Sequence, residues 1–225
     1  GRLLAELGAE VIKVEPLKGE GFRIGVLSCV GINMGKKSIA VDTETTEGQE
    51  IRDRLIKSAD VLLQALLPGA PEKLGIDYER VKGLNSRIIY CKIAGFGNAV
   101  RWQGRPSFDL LLQAISGQMM AMNADNPMYT SIPMADLYAG MTLDYGIVLA
   151  LSQRDENGKG CAVSTSQVAA SLGAQIGEFV QYKGMPESGD FCADSIGSRA
   201  LHRYYNAVDG WAILAAEDEV SWQSL

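Results

Sequence analysis

Over the first hundred residues, short apolar runs alternate with helical patterns, and this rhythm constrains the fold more than any other feature of the chain. "AEVIKVE" reads as a strand through Val11, Ile12 and Val14, and "KKSIAVD" as a second. "TEGQEIRDRLIKSAD" has helical spacing, with Thr46 and Gln49 at capping-box distance and Ile51, Leu55 and Ile56 as its inner face. "VLLQALL" is nearly continuous in apolar residues, as expected of a strand covered on both faces. "GIDYERVKGLN" is a short helix with Asp77 as its cap, and "RIIYCKIAGF" is another strand. Strands that alternate with helices predict an α/β fold, with a parallel sheet and helices on both sides. Ligands of such sheets collect at the carboxyl ends of the strands.

The rest of the chain extends this pattern. "RLLAELG" opens as a helix stopped at Gly8. "FDLLLQAISGQMMAM" predicts one helix with Leu110, Leu111, Ala114 and Ile115 facing inward. Residues 123–135 form a loop, and residues 137–154 a long helix. "CAVSTS" is a strand, and "SQVAASLGAQIGEFVQYKG" a helix capped by Ser164 or Ser166. Residues 1–183 therefore read as one large α/β domain and residues 184–200 as a linker. "RYYNAVDGWAILAA" is a hairpin within residues 201–225, the beginning of a small α+β domain. The chain opens directly on a helix pattern and stops as an amphipathic segment begins, which reads as a fragment lacking its first strand and its end.

Composition removes several function classes. A net charge of −6 over 225 residues argues against nucleic acid or an anionic membrane surface as a partner. Cys29, Cys91, Cys161 and Cys192 form no C-x-x-C pair, and with His202 as the single histidine no zinc or other metal pattern arises. Scattered thiols suggest a reducing compartment, and no apolar run reaches the ~20 residues that span a bilayer. With no signal peptide at the start, the expected location is cytoplasmic. The chain has no G-x-x-x-x-G-K-[ST] loop, no G-x-G-x-x-G after a strand and no G-x-S-x-G elbow. The "GFG" at 95–97 permits close backbone approach but is weak evidence alone. Lys36 and Lys37 suit phosphates, or simply a solvated strand entry.

Carboxylates remain. In "SIPMADLYAGMTLDYGIVLALSQR", Asp136 stands where a helix begins. It is either a helix cap, stabilising by about 1 kcal/mol, or a working carboxylate. Asp109 has the same two readings.

Six stretches in order resemble the class III CoA-transferases, the family of carnitine and formyl-CoA transferases. They are "GRLLAELGAEVIKVEP", "GKKSIAVDTETTEGQE", "ADVLLQALLPGAPEKLGIDYERVKGLNSRIIYCKIAGFG", "RPSFDLLLQAISG", "PMADLYAG" and "VDGWAILAA". The resemblance spans nearly the whole chain. It implies a large Rossmann-like α/β domain, a small domain and two subunits interlocked as a homodimer. It also implies transfer of CoA from an acyl-CoA donor to a carboxylic acid acceptor, with acyl-CoA as substrate and no tightly bound cofactor. "MADLYAG" matches the family's small-Asp-x-x-x-Gly segment, which places the nucleophile on Asp136, with Gly140 leaving room one turn later.

The resemblance further implies CoA contacts at Val41, Asp42 and Thr43, at Lys73, at Arg105 and at Phe108. Cations there suit phosphates, and the phenylalanine suits an apolar stem. Several positions depart from the family. Ala65, Leu66 and Leu67 stand where an Asn-Phe pair is usual, and Pro16 stands where a basic residue follows "VE". A branch of the family, the 2-methylacyl-CoA racemases, carries histidine where this chain has Phe108, and phenylalanine carries no proton. A racemase-like isomerase is the weaker alternative, and a CoA-binding module without turnover is the third reading.

Overall fold

A computed structural model of the chain describes residues 1–24, 26–97, 100–102, 104–122, 126–185 and 196–225. In chain order the helices are α1 (Arg2–Glu6), α2 (Val26–Asn33), α3 (Thr46–Ser58), α4 (Ala70–Lys73), α5 (Tyr78–Leu84) and α6 (Asp109–Ile115). They continue with α7 (Gln118–Met122), α8 (Met134–Asn157), α9 (Gln167–Ala174), α10 (Ile176–Phe179) and α11 (Glu219–Gln223). The strands are β1 (Ile12–Glu15), β2 (Lys37–Ala40), β3 (Val61–Gln64), β4 (Ile89–Ala94), β5 (Ala162–Ser166), β6 (Gly197–Arg199), β7 (His202–Ala207) and β8 (Gly210–Ala215). The predicted α/β class and the parallel strands are present. Contacts divide the chain into two units, residues 1–107 with 135–170, and residues 108–134 with 171–225. Of the expected linker at 184–200, residues 186–195 lie outside the described residues, as does Cys192.

In the first unit β1 pairs parallel with β2, and β3, β4 and β5 form a parallel sheet in that order. Alternation along "IIYC" explains how β4 is buried twice. Ile89 and Cys91 pack with Leu143, Ile147 and Ala150 of α8 on one face. Ile88 and Tyr90 pack with Ile56 of α3 and Val81 of α5 on the other. Successive strand residues point to opposite faces, so one continuous apolar run serves two helical layers. Helix ends are tied locally. Asp77 accepts from the Arg80 N–H at 3.0 Å, and the Asn85 amide donates to the carbonyls of Ile56 and Ala59 where α3 ends. The cap of α3 is Thr45, whose hydroxyl accepts from the Gly48 N–H at 3.1 Å. The expected Thr46 is already helical, because Thr45 is the last extended residue (ψ 156°).

By length and composition alone α8 resembles a membrane-spanning helix. Its buried stripe, Ala135, Ala139, Leu143, Ile147 and Ala150, also carries Asp144 and Arg154, and Arg154 donates to the Arg87 carbonyl at 3.3 Å. Packing against β4 and β5 accounts for Leu143, Ile147 and Ala150 of that stripe.

In the second unit the predicted hairpin forms, with β7 and β8 antiparallel from His202↔Ala215 to Ala207↔Gly210 around a two-residue turn; β6 joins β7. The expected single helix from Phe108 is two helices, interrupted at Gly117 with φ +78°. Its inner face is also corrected. Leu112 and Gln113 are buried, whereas Leu110, Leu111 and Ile115 are exposed. Gln113 sets this rotation: its amide donates to Asp109 and to the Thr130 carbonyl, and accepts from the Thr130 N–H at 2.9 Å. Buried polar groups must be paired, and these bonds do so. The helix expected after β5 ends at Ala174 and resumes as α10.

Glu15, only 4% exposed at the end of β1, is a buried charge in the first unit. It accepts from Arg23 at 2.7 and 3.2 Å and from the Ser38 hydroxyl, with Lys13 3.7 Å away. The Arg23 bonds foremost, then Ser38, hold its carboxyl down at about 2. An unfolded glutamate titrates near ~4.3, so folding binds fewer protons. The stability this supplies is complete above about pH 4.3 and is lost as pH falls from there towards 2. Urea midpoints measured from pH 6 to 3 should fall less steeply in Glu15→Gln than in the parent. Equal slopes would show that the carboxylate adds nothing.

Candidate active site

The loops that follow the parallel strands bring the site together. Pro133 disfavours helix at Ile132, and α8 begins at Met134. Asp136 is therefore the third residue of the helix, inside its first turn rather than before it. It is exposed, and the dipole of a 24-residue helix favours negative charge there. Gln167, the first residue of α9, donates its Nε2–H to Asp136 Oδ1. The Gln167 carbonyl oxygen in turn accepts from the Ser107 hydroxyl at 2.9 Å.

Local structure fixes both supporting side chains. Ser166 ends β5 and accepts from the Ala169 N–H at 3.2 Å, so it caps α9, one of the two caps expected there. The Val168 N–H donates to the Gly95 carbonyl at 3.0 Å, which ties the start of α9 to the residue after β4. A Cβ on Gly95 would lie 2.2 Å from Ser107 Oγ and 2.3 Å from Ser107 Cβ. The first glycine of "GFG" is thus required for the seat of Ser107, whose side chain lies where a Cβ would stand. At Gly140 a Cβ would meet no described atom within 4 Å, so the face one turn beyond Asp136 is open.

Most of the expected CoA contacts lie in the same unit, in the segments that follow β2, β3 and β4. Val41 is buried and donates its N–H to the Glu15 carbonyl at 2.9 Å. Asp42 is exposed and accepts from the Glu44 N–H at 3.0 Å, and Thr43 is half-buried. These three follow β2. A pocket beside them is lined by Glu15, Pro16, Lys18, Arg23, Ser38 and Ala40. Lys73 is exposed at the end of α4, after β3. Arg105 is exposed and lies over Trp102, 5.1 Å from the ring centroid, and Trp102 stacks on Phe96. Phe108 is 69% exposed and belongs to the second unit, where it precedes α6. Among the described residues no three His, Cys, Asp or Glu side chains gather to hold a metal.

The arrangement offers an exposed carboxylate held by an amide donor at the carboxyl edge of a parallel sheet. The whole sequence, residues 1–225, matches the family described as CoA-transferase family III. This chain belongs to CoA-transferase family III. Among family members, a formyl-CoA:oxalate CoA-transferase of Streptomyces coelicolor is 32% identical over 181 residues, 76% of this chain and 44% of that protein. A succinyl-CoA:mesaconate CoA-transferase of Haloarcula hispanica is 30% identical over 99% of this chain and 61% of its own length. The crystal structure of a CAIB/BAIF family protein from Brucella suis superposes with a TM-score of 0.82 at 27% identity, over all of this chain and 63% of that one. A hypothetical protein of Mycobacterium tuberculosis gives 0.83 at 28%, covering 61% of that chain. The chain thus spans 44% to 61% of the length of these two enzymes.

The sequence singles out Asp136 but not Gln167 or Ser107, which the fold sets in one hydrogen-bonded line with it. One signal was available: "TSQ" ends a strand at a capping serine, so the next side chain starts a helix at the edge where ligands bind.

Proposed function

We propose that this protein transfers CoA from an acyl-CoA donor to a carboxylic acid acceptor through a covalent intermediate on Asp136. The observation that carries the reading is the exposed Asp136 carboxylate in the first turn of α8, its Oδ1 held by Gln167. The transfer needs a nucleophile that is ionised at neutral pH, and an unperturbed aspartate, near ~3.9, is so without a base. The carboxylate attacks the thioester carbonyl, and CoA thiolate leaves with its electron pair to give a mixed anhydride. The thiolate attacks the Asp136 carbonyl, expelling the donor's carboxylate and forming an aspartyl-CoA thioester. The acceptor carboxylate displaces the thiolate, which then attacks the acceptor's carbonyl and frees Asp136. No step consumes or releases a proton, but each intermediate must be kept from water.

The names of the similar enzymes support acyl-CoA and carboxylic acids as substrates. In this reading 41–43, Lys73, Arg105 and Phe108 contact CoA, with no other cofactor. The large domain comprises residues 1–183, a linker 184–200, and residues 201–225 begin a small domain. The protein works in the cytoplasm as an interlocked homodimer. Phe108, with no ionisable group, keeps the racemase alternative weaker.

Hydroxylamine trapping tests the intermediate. With formyl-, acetyl- or succinyl-CoA and no acceptor, peptide mass spectrometry should find a hydroxamate at Asp136. CoA exchange with no adduct there, or with an adduct on another side chain, rules the route out.

A further inference from the structure

Resting on that reading, we infer that Gln167 is a catalytic donor in every step at the Asp136 carbonyl, held in place by Ser107 and Gly95. A carboxylate only accepts hydrogen bonds, so the Gln167 side chain must present its NH₂ to Asp136. Its carbonyl oxygen then faces Ser107, whose hydroxyl donates at 2.9 Å. The three polar groups admit one consistent orientation. It is pinned at both ends, by the Val168 N–H on the Gly95 carbonyl and by the lack of a Cβ at Gly95.

The chemistry follows from the hydrogen bond that Gln167 gives to Oδ1. With Oδ1 on the amide, Oδ2 forms the bond to the donor's acyl carbon and becomes the bridging oxygen of the anhydride. Oδ1 remains the carbonyl oxygen of Asp136. When CoA thiolate adds to that carbon, the C–S bond forms and the C=O pair moves onto Oδ1. The C–O bond to the donor's carboxylate then breaks, and the pair on Oδ1 re-forms the carbonyl. The acceptor's attack on the aspartyl-CoA thioester repeats the cycle, with thiolate leaving. In both, negative charge develops on the atom that Gln167 already touches. A fixed donor aimed at developing charge acts as an oxyanion hole, and losing one such donor lowers kcat by about 10²–10³-fold.

The test measures exchange of ¹⁴C-labelled formate, acetate or succinate into the matching acyl-CoA. Gln167→Met removes the donor at similar size, and kcat should fall about 10²-fold with KM for the acyl-CoA within about threefold. Hydroxylamine attacks the same carbonyl, so conversion of the accumulated aspartyl-CoA thioester to the Asp136 hydroxamate, with CoA thiolate leaving, should slow equally in the folded variant and match the parent in urea. Gln167→Glu sets a second carboxylate against Asp136, and its kcat should recover as pH falls and the new acid protonates, a profile that the methionine variant lacks. Ser107→Ala, which frees the amide to turn, should lose about 2–10-fold. A parent that exchanges none of the three acids overturns the proposed function, and this inference with it. A parent that exchanges while Gln167→Met keeps its kcat, or loses only KM or thermal stability, overturns this inference alone.

Discussion

Asp136→Ala and Asp136→Asn should each lose CoA exchange by about 10⁴-fold or more while still binding CoA. The two substitutions remove the same thing in different ways. Alanine deletes the side chain. Asparagine keeps its size and a carbonyl oxygen for Gln167 Nε2, but its amide cannot attack a thioester. If Asp136 only fastened its helix, asparagine would be nearly silent and alanine would cost about 1 kcal/mol of stability, with exchange intact. Exchange is therefore measured beside a thermal midpoint and a CoA binding isotherm. Loss of exchange in both variants, with CoA affinity and midpoint close to the parent, identifies the nucleophile. Exchange within tenfold of the parent in Asp136→Asn removes Asp136 from the chemistry and ends the covalent route.

Asp136 stands out as a candidate because a motif surrounds it in the sequence. Gln167 does not, because its partners stand 31 and 60 positions away, and only the fold brings them together. The same divide runs through the architecture. The β4 run "RIIYC" announces burial on both faces, since alternating apolar residues must each find a cover. The inner face of α6 was misread for the opposite reason. Its buried centre is Gln113, seated by hydrogen bonds to Asp109 and Thr130, and hydrophobic periodicity cannot register a polar side chain as core. Gly117, at φ +78°, ends a helix that apolar spacing alone would have continued. Patterns of burial are written locally; polar pairings that override them are not.

Ile147→Ala should have the largest effect on stability, because it strikes the helix that carries Asp136. Ile147 is fully buried in the cluster with Ile89, Cys91 and Leu143. Burial pushes the Cys91 thiol beside it up to about 12, the mark of a dry environment. No water can fill a cavity lined by such groups, so the cost combines lost transfer energy with an empty space, about 2–5 kcal/mol. In a chain of this size each kcal/mol lowers Tm by about 2–4 °C. Val148, the next residue, is 52% exposed on a neighbouring face of the same helix, and its replacement by alanine should cost under about 0.5 kcal/mol. The pair shares a helix and nearly a helix propensity, so the difference between them isolates packing against β4 and β5. At low temperature, where Ile147→Ala remains folded, its kcat should stay near the parent's, because α9 and Gly95 still hold Gln167 against the start of α8. Equal Tm shifts for the two variants would mean that α8 is not seated by this face, and the placement of Asp136 at the sheet's edge would lose its support.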